Sequence, residues 1–164
     1  MDRASLLLLP EAEEAGPARV RVRYEDDAHA WALEQAALLK AGRFADLDLP
    51  NLADEVEDVA NREYDKLENN LARVIQHLLK WDQQQNRRSR SWVNSIREHR
   101  RRAARQLDKF PSLDGRRTEA LAEAYEHGRG DAAIETGLPD GVLPETSPFS
   151  WDEVMSRPVD WPEP

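Results

Sequence analysis

The sequence predicts an all-α fold, a small helical bundle built on a long antiparallel helix hairpin. Residues 51–83 contain neither proline nor glycine. Their apolar side chains recur at the spacing of one helix face: Leu52, Val56, Val59, Leu67, Leu71, Val74, Leu78 and Trp81. A short polar segment follows, and a second amphipathic run begins near Ser91. Two such runs joined by a short turn indicate a helical hairpin.

The remaining elements follow from start and stop signals. The first helix is expected to begin at Asp26 or Asp27, which are good capping residues, and to end at Gly42. The long helix opens at Pro50 and Asn51 and runs to about residue 82.

The second half of the chain continues this order of helices. Ser89 or Ser91 caps the helix that Pro111 ends, and a fourth helix is expected over residues 115–136. One face of that fourth helix is small: Ala120, Ala124, Gly128 and Ala132. One further turn is expected near residues 151–155. The chain therefore divides into an N-terminal tail (1–23), a helical domain (24–139) and a proline-rich C-terminal tail (140–164) that packs on the domain.

The composition limits the class of protein. The 164 residues include no cysteine, which excludes disulfides and thiolate chemistry, and no apolar stretch is as long as a membrane span. We expect a soluble cytoplasmic protein that does not enter a membrane, and no motif points to a cofactor or a metal site.

Charge is distributed unevenly along the chain. Residues 87–117 carry 11 Lys and Arg against 3 Asp and Glu, whereas residues 46–68 carry 9 acidic residues against Arg62 and Lys66. Such blocks either pair within the molecule or bind a partner.

Several stretches resemble one known family. They are residues 24–57, HLLKW (77–81), RRSRSWVNSIREHRRR (87–102), PSL (111–113) and EAYEHGRGDAAIETGLP (123–139). The chain resembles the bacterial and cyanobacterial domain-of-unknown-function family number twenty-nine. The resemblance implies an all-helical fold and leaves the activity open.

The arginine-rich block is the first candidate site. Its residues suit a phosphate backbone, with a tryptophan to stack on a base: Arg87, Arg88, Arg90, Trp92, Arg97, Arg101 and Arg105. Register counting instead places Arg105 across from about Glu68 and Lys109 from about Asp65. Arg116 and Arg117 would then lie near the acids of residues 54–58. Pairing within the molecule is therefore the favoured interpretation, and nucleic-acid binding is the alternative.

Two smaller constellations complete the candidates. Glu63, His77 and His99 are candidate catalytic or metal-binding residues, because the same register brings His99 toward His77. A hydrogen-bonded structural role for His77 is favoured over catalysis. Tyr125, Arg129 and Glu135 are expected at a pocket lip or at the closure of the helix end.

The sequence favours a helical interaction protein over an enzyme. It would bind another protein, or a second copy of itself, through surface left by helices of unequal length. The alternatives are a nucleic-acid-binding module that uses the arginine-rich helix and an enzyme or metal site around Glu63, His77 and His99.

Overall fold

Helices are the only regular elements in the described part of the chain. The computed structural model describes residues 21–139 and 141–161. The five α-helices are α1 (Ala28–Lys40), α2 (Leu49–Gln83), α3 (Arg90–Lys109), α4 (Arg117–Thr136) and α5 (Trp151–Ser156). The predicted all-α class is confirmed. Across these described ranges, no helix is both long enough and apolar enough to cross a membrane.

The chain forms two compact units, of which the first ends at Asp54 and the second begins at Glu55, inside α2. The boundaries expected at residues 23 and 139 stay predictions. Most of the expected N-terminal tail lies outside the described residues.

In the first unit, α1 begins and ends as its sequence predicts. Asp27 caps it, because the Ala30 backbone N–H donates to Asp27 Oδ1 over 2.9 Å. Gly42 follows the helix with a φ of +69°, a conformation that favours glycine. Trp31, Gln35 and Leu38 are buried at intervals of three and four residues, as on one helix face.

In the second unit, α2 and α3 touch at regular steps in opposite order. Glu63 contacts Gln106, Asn70 contacts His99, and the ring of His77 lies beside that of Trp92. A step of seven residues toward the C-terminus of α2 corresponds to a step of seven residues toward the N-terminus of α3. This order is that of two antiparallel helices with heptad-like packing.

The fourth helix lies parallel to α2 and approaches it closely. Tyr64 Oη donates to Glu123 and Arg73 pairs with Asp131, so both helices advance together. The small face predicted on α4 is fully buried: Ala120, Ala124, Gly128 and Ala132. A Cβ at Gly128 would lie 2.5 Å from the carbonyl oxygen of Ala72. Glycine is therefore required there by the closeness of the two backbones.

The segment after α4 contributes to the same core. The helix α4 ends at residue 136, as predicted, and Gly137 follows it with a φ of +63°. Leu143, Phe149, Val154 and Val159 are all buried in the core formed by α2, α3 and α4. Arg100 of α3 also donates to three carbonyl oxygens at the end of α5: Glu153, Val154 and Arg157. A guanidinium here satisfies carbonyls that a helix C-terminus leaves without partners.

Candidate functional site

The three candidate catalytic residues lie in separate layers of the α2–α3 pair. The layers are seven residues apart, and Glu63, Asn70 and His77 each meet a different residue of α3. The side chain opposite His77 is Trp92, whereas His99 Nδ1 lies 2.8 Å from Asn70 Oδ1. His99 is therefore not directly opposite His77, as the register count had placed it, although its charge still acts on His77.

Glu63 has structural partners. Its Oε2 accepts from Gln106 Nε2 over 2.7 Å, and its Oε1 accepts from Lys66 over 2.7 Å. The hydrogen bond from Lys66 is the main reason why the pKa of Glu63 lies below its usual range. Glu63 is thus a carboxylate that joins α2 to α3 through Gln106, and its hydrogen bonds outweigh the effect of burial, which alone would raise its pKa.

His77 is a neutral histidine among buried polar groups. Its Nδ1 is buried and has no hydrogen-bond partner among the described residues, so the expected bond to a neighbouring side chain is not found at this nitrogen. Burial lowers the pKa of His77 to about 4, and the positive charge of Lys80 adds to the effect. The pKa of His99 is also lowered, chiefly by burial.

Beside His77 lies an ion pair that the sequence did not reveal. Lys80 is almost fully buried, and its Nζ donates to Glu135 Oε2 of α4. The same Nζ lies 4.6 Å from the centre of the Trp92 ring, within cation–π range. The hydrogen bond from Lys80 lowers the pKa of Glu135. Within residues 21–139 and 141–161, no group of three or more acidic or histidine side chains is placed to hold a metal ion.

Part of the arginine-rich block is paired with acidic residues, though not with those expected. Arg101 and Arg102 both bind Glu98 on α3 itself, at 2.8 Å, and Arg97 lies 3.3 Å from Asp160. Glu68, the acid expected across from Arg105, instead binds His127 of α4. Local partners are favoured because side chains three and four residues apart share a helix face.

Arg116 and Arg117 also find local partners, in Glu119 and Asp114. The prediction that they would pair with the acidic residues at 54–58 was therefore wrong. Arg105, expected across from Glu68, has no ion pair in the described part of the chain.

The other basic candidates differ in their surroundings. Arg88 Nε donates to the carbonyl oxygen of Trp81 over 2.9 Å, and its guanidinium lies 4.5 Å from the centre of that indole ring. Arg87 and Arg90 are exposed and, like Arg105, make no ion pair with any residue that the structure describes. Trp92 is half-buried against His77 and Lys80, which leaves little of its ring for a nucleic-acid base.

The three residues expected at a pocket lip serve two different contacts. Tyr125 Oη donates to the carbonyl oxygen of Pro144 over 2.6 Å, and Arg129 donates to that of Leu143 over 3.4 Å. Both therefore hold the segment after α4, whereas Glu135 binds Lys80. The cavity beside Arg129 measures about 40 Å³, which is far below the usual size of a ligand pocket.

A larger pocket lies in the first unit. It measures about 380 Å³ and is lined by Trp31, Gln35 and Asp48, among others. Asp48 Oδ2 accepts from the Trp31 indole N–H over 3.0 Å and from Asn51 Nδ2 over 2.7 Å. These hydrogen bonds lower the pKa of Asp48, and the bond from the Asn51 side chain has the largest effect. Because Asp48 also caps α2 through the Asn51 backbone N–H, its carboxylate already has a structural role.

The beginning of α2 in the second unit exposes apolar side chains. Val56 and Val59, expected in the core, are 68% and 56% exposed. Continuing the α2–α3 register, Lys109 at the end of α3 comes level with Ala60, so the preceding residues of α2 have no α3 residue opposite them. Both the apolar period of α2 and the end of its covering helix before Pro111 could be read from the sequence, whereas the exposure of Val56 and Val59 is seen only in the structure.

Comparison with known proteins gives one match. The model of a family described as a domain of unknown function, DUF29, matches residues 23–159. Neither a curated protein nor a solved structure matches the chain. The matched residues include α1 to α5, and with them both the buried Lys80–Glu135 pair and the exposed beginning of α2.

Proposed function

The chain belongs to the family of the domain of unknown function DUF29, and we propose that it acts as a protein-interaction module. Its binding surface is the exposed face of α2 formed by Val56, Val59 and Ala60, which we name the overhanging face. The observation that carries this proposal is the 68% and 56% exposure of two valines on a helix whose continuation is core.

The position of Val56 makes its exposure informative. It precedes Leu67, which is fully buried, by eleven residues, or about three helical turns, so both lie on the same side of α2. Single exposed apolar residues are common on protein surfaces. A core face that continues past the end of its covering helix is a different feature, because helices of this kind bury such a face against another helix.

The two alternative functions have less support. An enzyme needs its acid and base groups together, and Glu63, His77 and His99 lie in different layers of the bundle. A nucleic-acid module needs free arginines, and Arg97, Arg101 and Arg102 are engaged by acidic residues. Of the exposed candidates, Arg87, Arg90 and Arg105 have no ion pair with a described residue.

Site-specific photocrosslinking in the native host tests the proposal. The photoreactive residue p-benzoylphenylalanine replaces Val56 in one variant and Ile134 in another. Ile134 is the matched control, since it is 83% exposed and lies on α4. We expect one discrete adduct of higher mass from position 56 and none at position 134. No adduct at 56, or the same adduct from both positions, would refute the overhanging face as a binding surface.

A further inference from the structure

We propose that the partner of the overhanging face is a basic amphipathic helix of another protein. This inference rests on the proposed function and adds the chemical character of the segment that binds the overhanging face. It follows from three features of the described residues: the charges beside the valines, the way in which α2 already binds α3, and the poor fit of a second copy.

Acidic side chains lie on both sides of the overhanging face. By helical spacing Glu55 and Glu57 flank Val56, and Asp58 lies farther round the helix. The carboxylate of Glu57 makes no ion pair with a described residue, and the nearby Arg62 directs its Nε to the carbonyl oxygen of Asp58. An apolar stripe between acidic edges is complementary to an apolar stripe between Lys or Arg residues.

The rest of α2 already binds a helix of this chemistry. Val93, Ile96 and Ala103 of α3 are buried, while its outer face is rich in arginine. At the end of this contact, the positive charge of Lys109 acts on Glu63. A partner helix on Val56 and Val59 would extend the line of α3 by the same kind of packing.

A second copy of this chain fits the face less well. Pairing of two α2 segments would bring together two blocks that each hold 9 acidic residues against 2 basic ones between residues 46 and 68. The basic helix α3 of another copy is not available either, because its apolar face is buried in its own core. A helix from a different protein avoids both obstacles.

A synthetic 14-residue helical peptide of leucine and lysine, with leucines on one face, is the probe. We expect it to bind the full chain with a micromolar Kd at low salt and more weakly as salt increases. The variant with Val56→Gln and Val59→Gln should bind it at least tenfold more weakly. Ile134→Gln, the matched control, should stay within twofold. Circular dichroism verifies that each variant is folded. We expect all of them to fold, because the substituted side chains are exposed in the wild type.

The controls separate the possible outcomes. A leucine–glutamate peptide of the same apolar pattern should not bind, and Glu57→Gln should weaken binding of the lysine peptide. Equal binding by the valine variant would overturn the inference. Failure of the peptide while the photocrosslink at position 56 persists would overturn the partner class alone. A dimer in sedimentation that is lost on changing both valines would replace this partner by a second copy.

Discussion

Two neighbouring residues of α2 keep polar atoms in the core without well-formed hydrogen bonds. Gln76 is 1% exposed, and its Nε2 has no hydrogen bond of good geometry to a described residue, although its amide acts on Glu135. Nδ1 of His77 likewise has no hydrogen-bond partner among the described residues. An unpaired buried polar atom costs roughly 1–3 kcal/mol of stability. The cost is smaller for a neutral imidazole than for a charged one, which agrees with the lowered pKa of His77.

The first prediction at this scale is a loss of stability in mild acid that depends on His77. Its pKa is about 4 in the folded chain and about 6.5 in the unfolded one. Between these pH values the histidine binds a proton in the unfolded chain but not in the folded one. The contribution of His77 to the free energy of unfolding therefore decreases as the pH falls from about 6.5 toward 4. Between pH 7.5 and pH 5 the free energy of unfolding should fall by about 1–2 kcal/mol more in the wild type than in His77→Gln.

Urea denaturation at the two pH values measures this difference. The groups that act on His77 are Lys80, Glu135, His99 and Arg73, and all are present in both proteins. His29→Gln, a change at an exposed histidine of the first unit, is the control and should follow the wild type. If His77→Gln lost as much stability in acid as the wild type, the histidine would not be buried in its neutral form.

At the scale of the helices, local signals could be predicted and packing partners could not. Asp27, Ser89 and Gly42 stand at the helix ends that they were expected to mark, because capping involves neighbouring backbone groups. The beginning of α4 differs: residues 111–116 form a 3₁₀ turn, and α4 starts at Arg117 without a side-chain cap.

The register between helices was the main error. Counting outward from the turn placed His99 near His77, whereas Trp92 occupies that position. A 3₁₀ turn at Gln85–Arg87 and the fit of side chains between the helices determine the register, and neither follows from apolar periodicity. The Lys80–Glu135 pair was missed for the same reason, since it joins helices distant in sequence.

The second prediction tests the close contact of α2 and α4 with two glycines of one helix. Gly128→Ala would place a Cβ 2.5 Å from the carbonyl oxygen of Ala72, so the backbones must separate. We expect a loss of about 1–3 kcal/mol. Gly130→Ala meets nothing within 4 Å and should stabilise α4 by about 0.5–1 kcal/mol.

Urea denaturation midpoints at constant slope give both values. The opposite signs are the informative result, because the two changes add the same methyl group two residues apart. A stabilising Gly128→Ala would mean that α2 and α4 do not approach closely at this position.

At the scale of the whole molecule, ion pairs with nearby acidic residues neutralise part of the basic block at residues 87–117. The net charge is −9, and the basic block binds acids of its own helix and of the C-terminal segment. Arg100 uses its charge on carbonyl groups at the end of α5. The beginning of α2 stays acidic, and a few exposed arginines remain. Together with the net charge, the acidic residues oppose the approach of a polyanion.

The third prediction follows from this distribution and concerns nucleic acids. At 150 mM salt the wild type should bind a 20-nucleotide single-stranded RNA or duplex DNA no more tightly than about 10 μM, within the range of non-specific binding. Glu98 holds Arg101 and Arg102, and its hydrogen bond from Arg101 lowers its pKa. Glu98→Gln should therefore release two arginines and strengthen binding several-fold, beyond the effect of one lost negative charge.

Glu145→Gln supplies the comparison, because Glu145 is exposed and pairs with no arginine or lysine in the described ranges. It changes the net charge equally and should alter the Kd by less than twofold in fluorescence anisotropy. Submicromolar, steeply salt-dependent binding by the wild type, abolished when Arg97, Arg101 and Arg105 become alanine, would contradict the prediction. In that case Glu98 and Asp160 would have to yield their arginines to phosphate, and α3 would replace the overhanging face as the leading binding surface.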